Sequence, residues 1–437
     1  MPSPSIQDVR VLPARVADKF DEQLGIKRVG EVHTPWHVLR DNGGFRVYFA
    51  GSVLSDFGTW LQNTAQMLLA YQLAHSVLTV GLVTFAQFTS PLLLGPWAGV
   101  LTAKLGGRGA LLCTQTTSAV VAATLAGLDF GGLLNVRVLV AGAIVGGLSF
   151  TFALPARNVT VQRLVPSDKL KPAYAMDAVS YNIGRAVAPL VTVAIGVAGA
   201  NFAWAFAANA ISFVAFSVIL LRARLGAPVE LTRPSRVWAG LQVACQDGRI
   251  MILLLMVAAV TVADDPILVL GPALARQLHA SPSCSAWFIA ALGAGTVCGS
   301  FRPSRHRPTL RLAATALASL ALCMLIFVFA PAVWVAVVGA LGAGVSCLIA
   351  NSVTRSVLAR RARPQDTAAV MAVWAIAWAG SKPLASLVDG TLGTWIGPQL
   401  TGLILAAPAL IPIVVIMLLP KLGFWVARNR TAVTDGP

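Results

Sequence analysis

Residues 152–190 read FALPARNVTVQRLVPSDKLKPAYAMDAVSYNIGRAVAPL. The stretch leaves one apolar run, crosses a short basic loop (Arg157, Arg163, Lys169, Lys171) and enters a second apolar run. That second run carries Asp177, Asn182, Arg185 and Pro189. An arginine inside an apolar segment is costly at the centre of a bilayer unless it finds a partner or water, so it marks a functional position by default. A blurred copy returns later as Ala350-Asn351-Ser352-Val353-Thr354-Arg355, followed by Arg360, Arg361, Arg363, Pro364, Asp366, Val370 and Met371. An Asn, a basic stretch, a Pro, an acid and a Met thus recur in the same order, roughly 190–195 residues further on.

The surrounding composition explains why such a stretch decides the fold. The chain is 57% hydrophobic and only 11% charged, with a mean hydropathy of +0.75. Apolar runs of about twenty residues, each able to cross ~30 Å of hydrocarbon, follow one another for most of its length. The net charge of +16 raises the question of a nucleic-acid partner. The bases, however, sit in short loops between apolar runs, which is orientation charge rather than a DNA footprint. Six cysteines are scattered with no CxxC and no clustered His, which argues against a metal site or a disulfide framework. Residues 1–44 hold no apolar core of a signal peptide and read as a tail, with one short interfacial helix near Trp36.

The periodicity predicts twelve spans, at 46–72, 77–103, 109–128, 134–155, 173–198, 201–222, 250–274, 284–301, 309–330, 332–354, 367–389 and 398–420. With the N-terminus inside, one side collects Arg40, Arg46, Lys104, Arg108, Arg157 through Lys171, the central-loop arginines (222, 224, 233, 236, 249), Arg302, Arg305, Arg307, Arg311, Arg355 through Arg363, and Lys421, Arg428 and Arg430. The other side keeps Arg137 and Arg276. That asymmetry predicts a multi-pass cell (inner or plasma) membrane protein with both termini cytoplasmic. The expected organisation is an N-terminal tail (1–44), a six-helix bundle (45–222), a central loop (223–249), a second six-helix bundle (250–422) and a C-terminal tail (423–437). Within the loop, 237–247 suits an amphipathic helix on the inner leaflet, with Trp238 at the interface. The glycine pairs Gly142/Gly146 and Gly295/Gly299 suit close helix packing. Two halves on one plan are the sequence mark of a secondary transporter.

Four blocks carry a family likeness: Phe45–Tyr48 through Gly58–Gln62; Gly81 through Pro91 and Gly99; Pro155-Ala156-Arg157, Leu164-Val165-Pro166, Asn182, Arg185 and Pro189; and Gly240-Leu241. With these, residues ~40–420 resemble the major facilitator superfamily, in its enterobactin-exporter-like branch of transmembrane secretion effectors. The resemblance implies an all-α fold of twelve transmembrane helices in two pseudo-symmetric bundles. It also implies export of small, often amphipathic molecules, commonly driven by proton entry. The family's gating loop falls on Gly99, Lys104 and Arg108, with Ala103 where the family has an acid. Of the antiporter pattern in the fifth span, Gly184 and Pro189 remain.

The ionisable residues predicted inside the membrane are Asp56 in span 1, Asp177 and Arg185 in span 5, Asp264 and Asp265 in span 7, and Lys382 in span 11. Under a six-plus-six repeat, acids occupy one matched pair of helices (1 and 7) and bases the other (5 and 11). Asp177 and Arg185 lie about 12 Å apart along one helix, so Arg185 must look to another helix. Arg185, Asp264 and Lys382 come out roughly 20–24 Å deep, against about 15 Å for Asp56, which favours a span 7–span 11 pairing. Asp264 and Asp265 point about 100° apart, so at most one faces a central cavity squarely, and Pro266 breaks the helix there. One of them is a candidate proton carrier whose contact with Lys382 changes between states; the alternative is a permanent bridge. For Arg185 a structural contact and a substrate-facing charge both stand, and Asp56 is a candidate for pairing with the gate. Asn182, Trp60, Gln62, Gln66 and Gln87 are candidates for a polar cavity lining. Trp374 and Trp378 share a face and suit a flat or cationic ligand, or lipid-facing packing.

No Walker loop, metal-binding His pair or Gly-x-Ser-x-Gly elbow argues for an enzyme. The expectation is therefore a monomeric secondary transporter without cofactor, with a proton gradient as energy source. It would export a small organic molecule such as a drug, siderophore or other secondary metabolite. Movement of lipid or lysophospholipid, and a transport-inactive sensor or scaffold, stand as alternatives.

Overall fold

The structure is a computed structural model, and it describes residues 35–223, 237–300, 309–363 and 366–412. Among these residues the chain is helical throughout, without strands. The principal helices are α1 (Gly43–Ala74), α2 (Val77–Phe130), α3 (Val136–Leu164), α4 (Leu170–Val197), α5 (Ala203–Arg222), α6 (Gly248–Asp264), α7 (Ser285–Ser300), α8 (Leu310–Val328), α9 (Val333–Arg361), α10 (Thr367–Trp395) and α11 (Pro398–Ala406). Short helices at Pro35–Asp41 and Val237–Gln246 precede α1 and α6. They meet the expected interfacial helix near Trp36 and the expected helix in the central loop. Residues 1–34 of the predicted tail (1–44), loop residues 224–236, the cluster Arg302, Arg305 and Arg307, and everything after 412 lie outside the described residues.

Local chemistry sets the helix ends. The side chain of Asn135 accepts from the Val138 amide at the start of α3, Asp247 from Arg249 at α6, and Thr309 from Leu312 at α8. Each satisfies a donor that the first helical turn leaves free. Within α2, Gly106 takes φ 70°, a left-handed value natural to glycine, and the helix there turns from one span into the next. This is the predicted break between spans 2 and 3. Span 7 is broken as the position of Pro266 predicts: α6 stops at Asp264, and short helices Pro266–Val269 and Gly271–Gln277 continue it.

Ten described segments are long and apolar enough to cross a membrane. Helix α1, 32 residues long, is not among them: its Asp56, Gln62, Asn63 and Gln66 lower its hydropathy. Of the predicted twelfth span, Pro398–Ala406 and the 3-10 turn Ala407–Leu410 are described. Helices α3, α9 and α10 run about two turns further than the sequence suggests, to Leu164, Arg361 and Trp395. Prolines at 155 and 383 sit inside helices that continue through them, as transmembrane helices permit when neighbours satisfy the freed carbonyls.

Because successive spans alternate in direction, one end of the molecule gathers Arg40, Arg46, Lys104, Arg108, Lys169, Arg222, Arg249 and Arg361; we call it the basic end. There Lys169 Nζ meets Asp41 at 2.7 Å, Arg361 Nε meets Asp247 at 3.8 Å, and the Arg108 guanidinium donates to the Leu221 carbonyl. Helices α1–α5 pack chiefly on one another, as do α6–α11. Two seams join the groups: α2 against α10 and α4 against α7.

Candidate functional site: buried ion pairs at the seams

The α2–α10 seam is glycine on glycine. A Cβ on Gly81 would stand 2.5 Å from the Ser386 carbonyl oxygen and 2.9 Å from the Gly390 Cα, so only glycine fits this approach. The Leu78 amide donates to Thr394 Oγ1 near one end of this seam, and Gly380 faces Leu92 further along. On the other seam a Cβ at Gly293 would strike the backbone of Arg185 and Ala186 at 2.6 Å. Gly196 there faces Ser283, and Thr296 Oγ1 donates to Asn182 Oδ1 at 2.9 Å. Towards the basic end of the first α2 limb, Gly95 and Gly99 have no atom within 4 Å of a would-be Cβ.

Three helices bring charges to this meeting. Arg185 on α4 lies 3.5 Å from Asp264 Oδ2 on α6, an ion pair that crosses from one half to the other. Its guanidinium also stands 5.4 Å over the Trp60 ring, a cation–π contact, and Trp60 packs edge-on against Tyr181. Cys347 Sγ approaches the same Asp264 oxygen at 3.8 Å. Asp265, fully buried, faces the other way: Lys382 Nζ is 3.6 Å from its Oδ1, and Ser386 Oγ donates to its Oδ2 at 2.5 Å. Lys382 lies 4.8 Å over the Phe88 ring of α2. The expected contact between helix 7 and helix 11 is thus made through Asp265, while Asp264 turns to Arg185. Adjacent residues on a helix diverge by about 100°, which lets the two acids serve different halves.

A second cluster lies nearer the basic end. Arg157 Nη1 donates to Asp56 Oδ1 at 2.6 Å, and its Nη2 reaches Asp56 Oδ2 at 3.0 Å, Asp177 Oδ1 at 2.8 Å and Ser52 Oγ at 2.5 Å. Ser180 Oγ adds a 2.5 Å donation to Asp56. Close passage of α4 over α1 makes this possible, since a Cβ on Gly184 would meet the Asp56 backbone at 2.8 Å. The assignment of Arg157 to a solvated loop is corrected here: α3 carries it inward past Pro155, and its side chain is only 14% exposed. Asp56 does pair with a group near the basic end, Arg157. Asp177 also finds Arg157, from another helix, as its distance from Arg185 requires.

The cavity candidates divide. Trp60 and Asn182 reach the centre and the seam. Gln62 accepts from Asn209, and Gln66 donates to the Leu139 carbonyl; both hold the first half together instead of lining a cavity. Gln87 donates to Asn63 at 3.0 Å. Trp374 and Trp378 stack with planes 2° apart, and Arg355 sits 5.0 Å over Trp374, a cation already in place. Of the glycine pairs, Gly295 meets Leu341 and Gly344 and Gly299 meets Val345, while Gly142 packs on Leu125 and Gly146 faces open space. Gly99 and Lys104 precede the Gly106 turn, and Arg108 beyond it is tied to α5.

Sequence reasoning missed Asp389. The predicted span stops on it, whereas α10 continues six residues beyond, and the side chain is fully buried. The signal was present: Lys382, Ser386 and Asp389 stand at i, i+4 and i+7, one face of a helix.

Comparison with known proteins gives this architecture its relatives. A Staphylococcus aureus (strain NCTC 8325 / PS 47) protein, the staphyloferrin A transporter, is 26% identical over 149 residues, which is 33% of this chain and 37% of that protein. The aligned region thus spans little more than a third of the length of this curated relative. Among solved structures, the nucleoside transporter NupG superposes with a TM-score of 0.68 at 12% identity, covering 86% of this chain and 99% of that one. A POT family transporter in complex with 5-aminolevulinic acid gives 0.68 at 14%, covering 87% and 97%. The human organic anion transporter MFSD10 (TETRAN) gives 0.59 at 16%, covering 85% and 98%. At such identities these likenesses establish the fold. Residues 33–435 match the transmembrane secretion effector family, and the chain accordingly belongs to that family of major facilitator membrane transporters, a transport protein and not an enzyme.

Proposed function

We propose that this transporter exports a small organic molecule, of the drug, siderophore or secondary-metabolite kind, in exchange for protons. The observation that carries the reading is the Arg185–Asp264 ion pair between the two halves, with the Asp265–Lys382 pair beside it. Ionisable groups at such depth are retained where they move ions or substrate. A contact that must break for one half to rock against the other ties charge to conformation. The basic end is read as cytoplasmic, since Lys and Arg accumulate in loops on that side. The name of the staphylococcal relative supports a siderophore among the substrates to try first. The chain is read as acting as a monomer, because the seams join the two halves of a single chain.

The test is accumulation of a substrate panel in an efflux-deficient host expressing the chain, with and without a protonophore. Export that collapses with the protonophore supports the reading. Wild-type cells that accumulate every compound to the same level as the empty-vector host would refute it. Asp264→Asn and Asp265→Asn then test the charge network separately, and proton-driven export intact in both removes it from the mechanism.

A further inference from the structure

The cluster holds one more acid than its bases require. Around Asp265 stand Lys382 at 3.6 Å and Ser386 at 2.5 Å, and three residues beyond Ser386 on the same face of α10 lies Asp389. The further charged or titratable groups are Asp264 on α6, Arg185 on α4 and Cys347 on α9; α2 contributes the uncharged Phe88. Arg185 and Asp264 are engaged with each other, and Lys382 with Asp265. Asp389 is left fully buried, and neither of its carboxyl oxygens has a donor among the described residues.

Two carboxylates hydrogen-bond to each other only when one of them holds a proton, because an ionised carboxyl group accepts and cannot donate. A charged carboxylate buried without a donor is strongly disfavoured, so the proton has a place to stay. Asp265 already receives a lysine and a serine, which suit its charged form. Asp389, with neither, suits the neutral form and can donate to Asp265.

The position of Asp389 along α10 adds a route. A cavity of about 370 Å³ opens on the surface at the end away from the bases, lined by Tyr71, His75, Arg276, Gln277, Gly393 and Thr394 among others. Gly393 is one helical turn beyond Asp389 on the same face. Leu270 and Val77, the latter also lining the cavity, are the side chains that a Cβ on Gly393 would strike, at 2.8 and 3.0 Å. Asp389 is thus the acid of the cluster lying furthest along α10 towards this cavity, and Lys382 lies about 10 Å deeper.

We infer that Asp389 is a proton-binding site of this transporter, loaded from the Tyr71/His75 cavity and sharing its proton with Asp265. The inference rests on the proton-exchange reading above and names the acid it needs. The proton comes from water in the cavity, rests on Asp389, and passes to Asp265 when Lys382 withdraws. Net charge is unchanged: as Asp265 takes the proton Asp389 becomes the anion, and the protonated Asp265 is then the donor it accepts from, while Lys382 no longer faces a charged Asp265.

Infrared spectroscopy of the purified full chain, in detergent free of ester carbonyls, tests this without any substrate. The wild-type protein at neutral pH is expected to show the carbonyl stretch of a protonated carboxylic acid, and Asp389→Asn is expected to lose it. An unchanged acid band in Asp389→Asn overturns the inference. Should that variant not purify as a single species, Asp265→Asn serves: replacing the acceptor must shift the band, and an unmoved band is equally fatal. In cells, Asp389→Asn is expected to lose the protonophore-sensitive part of export. A wild-type protein that exports without any protonophore sensitivity would instead refute the proton-exchange reading, while the band still judges Asp389.

Discussion

Replacing Arg157 by Met removes one side chain that serves two acids. Arg157 meets Asp56 at 2.6 Å and Asp177 at 2.8 Å, on helices other than its own. At an effective dielectric constant of 20, each contact is worth about 6 kcal/mol of gross Coulomb attraction. Most of that offsets the desolvation of three charges. What remains visible is the cost of leaving acids buried after their base is gone, about 3–5 kcal/mol. Ser180 still donates to Asp56, but Ser52 reaches Asp177 only at 3.5 Å, too long to replace the lost charge. The variant should therefore unfold at a lower denaturant fraction in mixed micelles of mild detergent and SDS, followed by tryptophan fluorescence. Adding Asp56→Asn and Asp177→Asn removes the stranded charges, so the triple variant should recover at least about 2 kcal/mol of the loss. The reasoning fails if Arg157→Met unfolds within about 0.5 kcal/mol of the wild type, or if the triple variant is less stable than the single one.

Charge exchange at the cross-half pair, Arg185→Asp with Asp264→Arg, should restore part of the transport that each single change removes by tenfold or more; no gain over the singles would mean the two do not act as a pair. Gly81→Val should drive Gly390 and Ser386 away and open the seam, so that a cysteine placed at Thr394 reacts faster with a membrane-impermeant thiol reagent than in the parent. An unaltered rate would show that the glycine contact does not hold that end shut. At the basic end, Lys169 hydrogen-bonds Asp41 and holds its carboxyl below the ordinary value of 3.8. A depressed acid stabilises the fold above its unfolded value and loses that effect as pH falls through the folded one. Asp41→Asn should accordingly leave the pH dependence of stability unaltered between about pH 5 and 8, and change it only below about pH 4. A difference that appears near neutrality would contradict this.

The architecture was legible because hydropathy and loop charge act over whole spans, so errors of a turn do not matter. The site was legible only where a charge stood well inside an apolar run: Asp264, Asp265, Arg185 and Lys382 were found, and the helix pairing with them. Arg157 and Asp389 were lost to the same cause, a span ended too early. Pro155 reads as a helix stop when neighbours are unknown, and Asp389 reads as a terminus when no partner is visible. Partner choice between Asp264 and Asp265 depends on helix rotation by a fraction of a turn after Pro266, which no spacing rule resolves. Gln62 and Gln66 were misread because a glutamine facing a cavity and one binding a neighbouring carbonyl look alike in one dimension.

The glycine contact between α2 and α10 has a mechanical meaning. Where bulky side chains interlock, sliding must lift each knob out of its hole; where Gly81 lies on Gly390, backbone passes over backbone with little to climb. Such a joint behaves like a plain bearing: it separates and closes again without repacking a core. Selection on this surface would act through how often the gate swings, well before it acts through whether the chain folds.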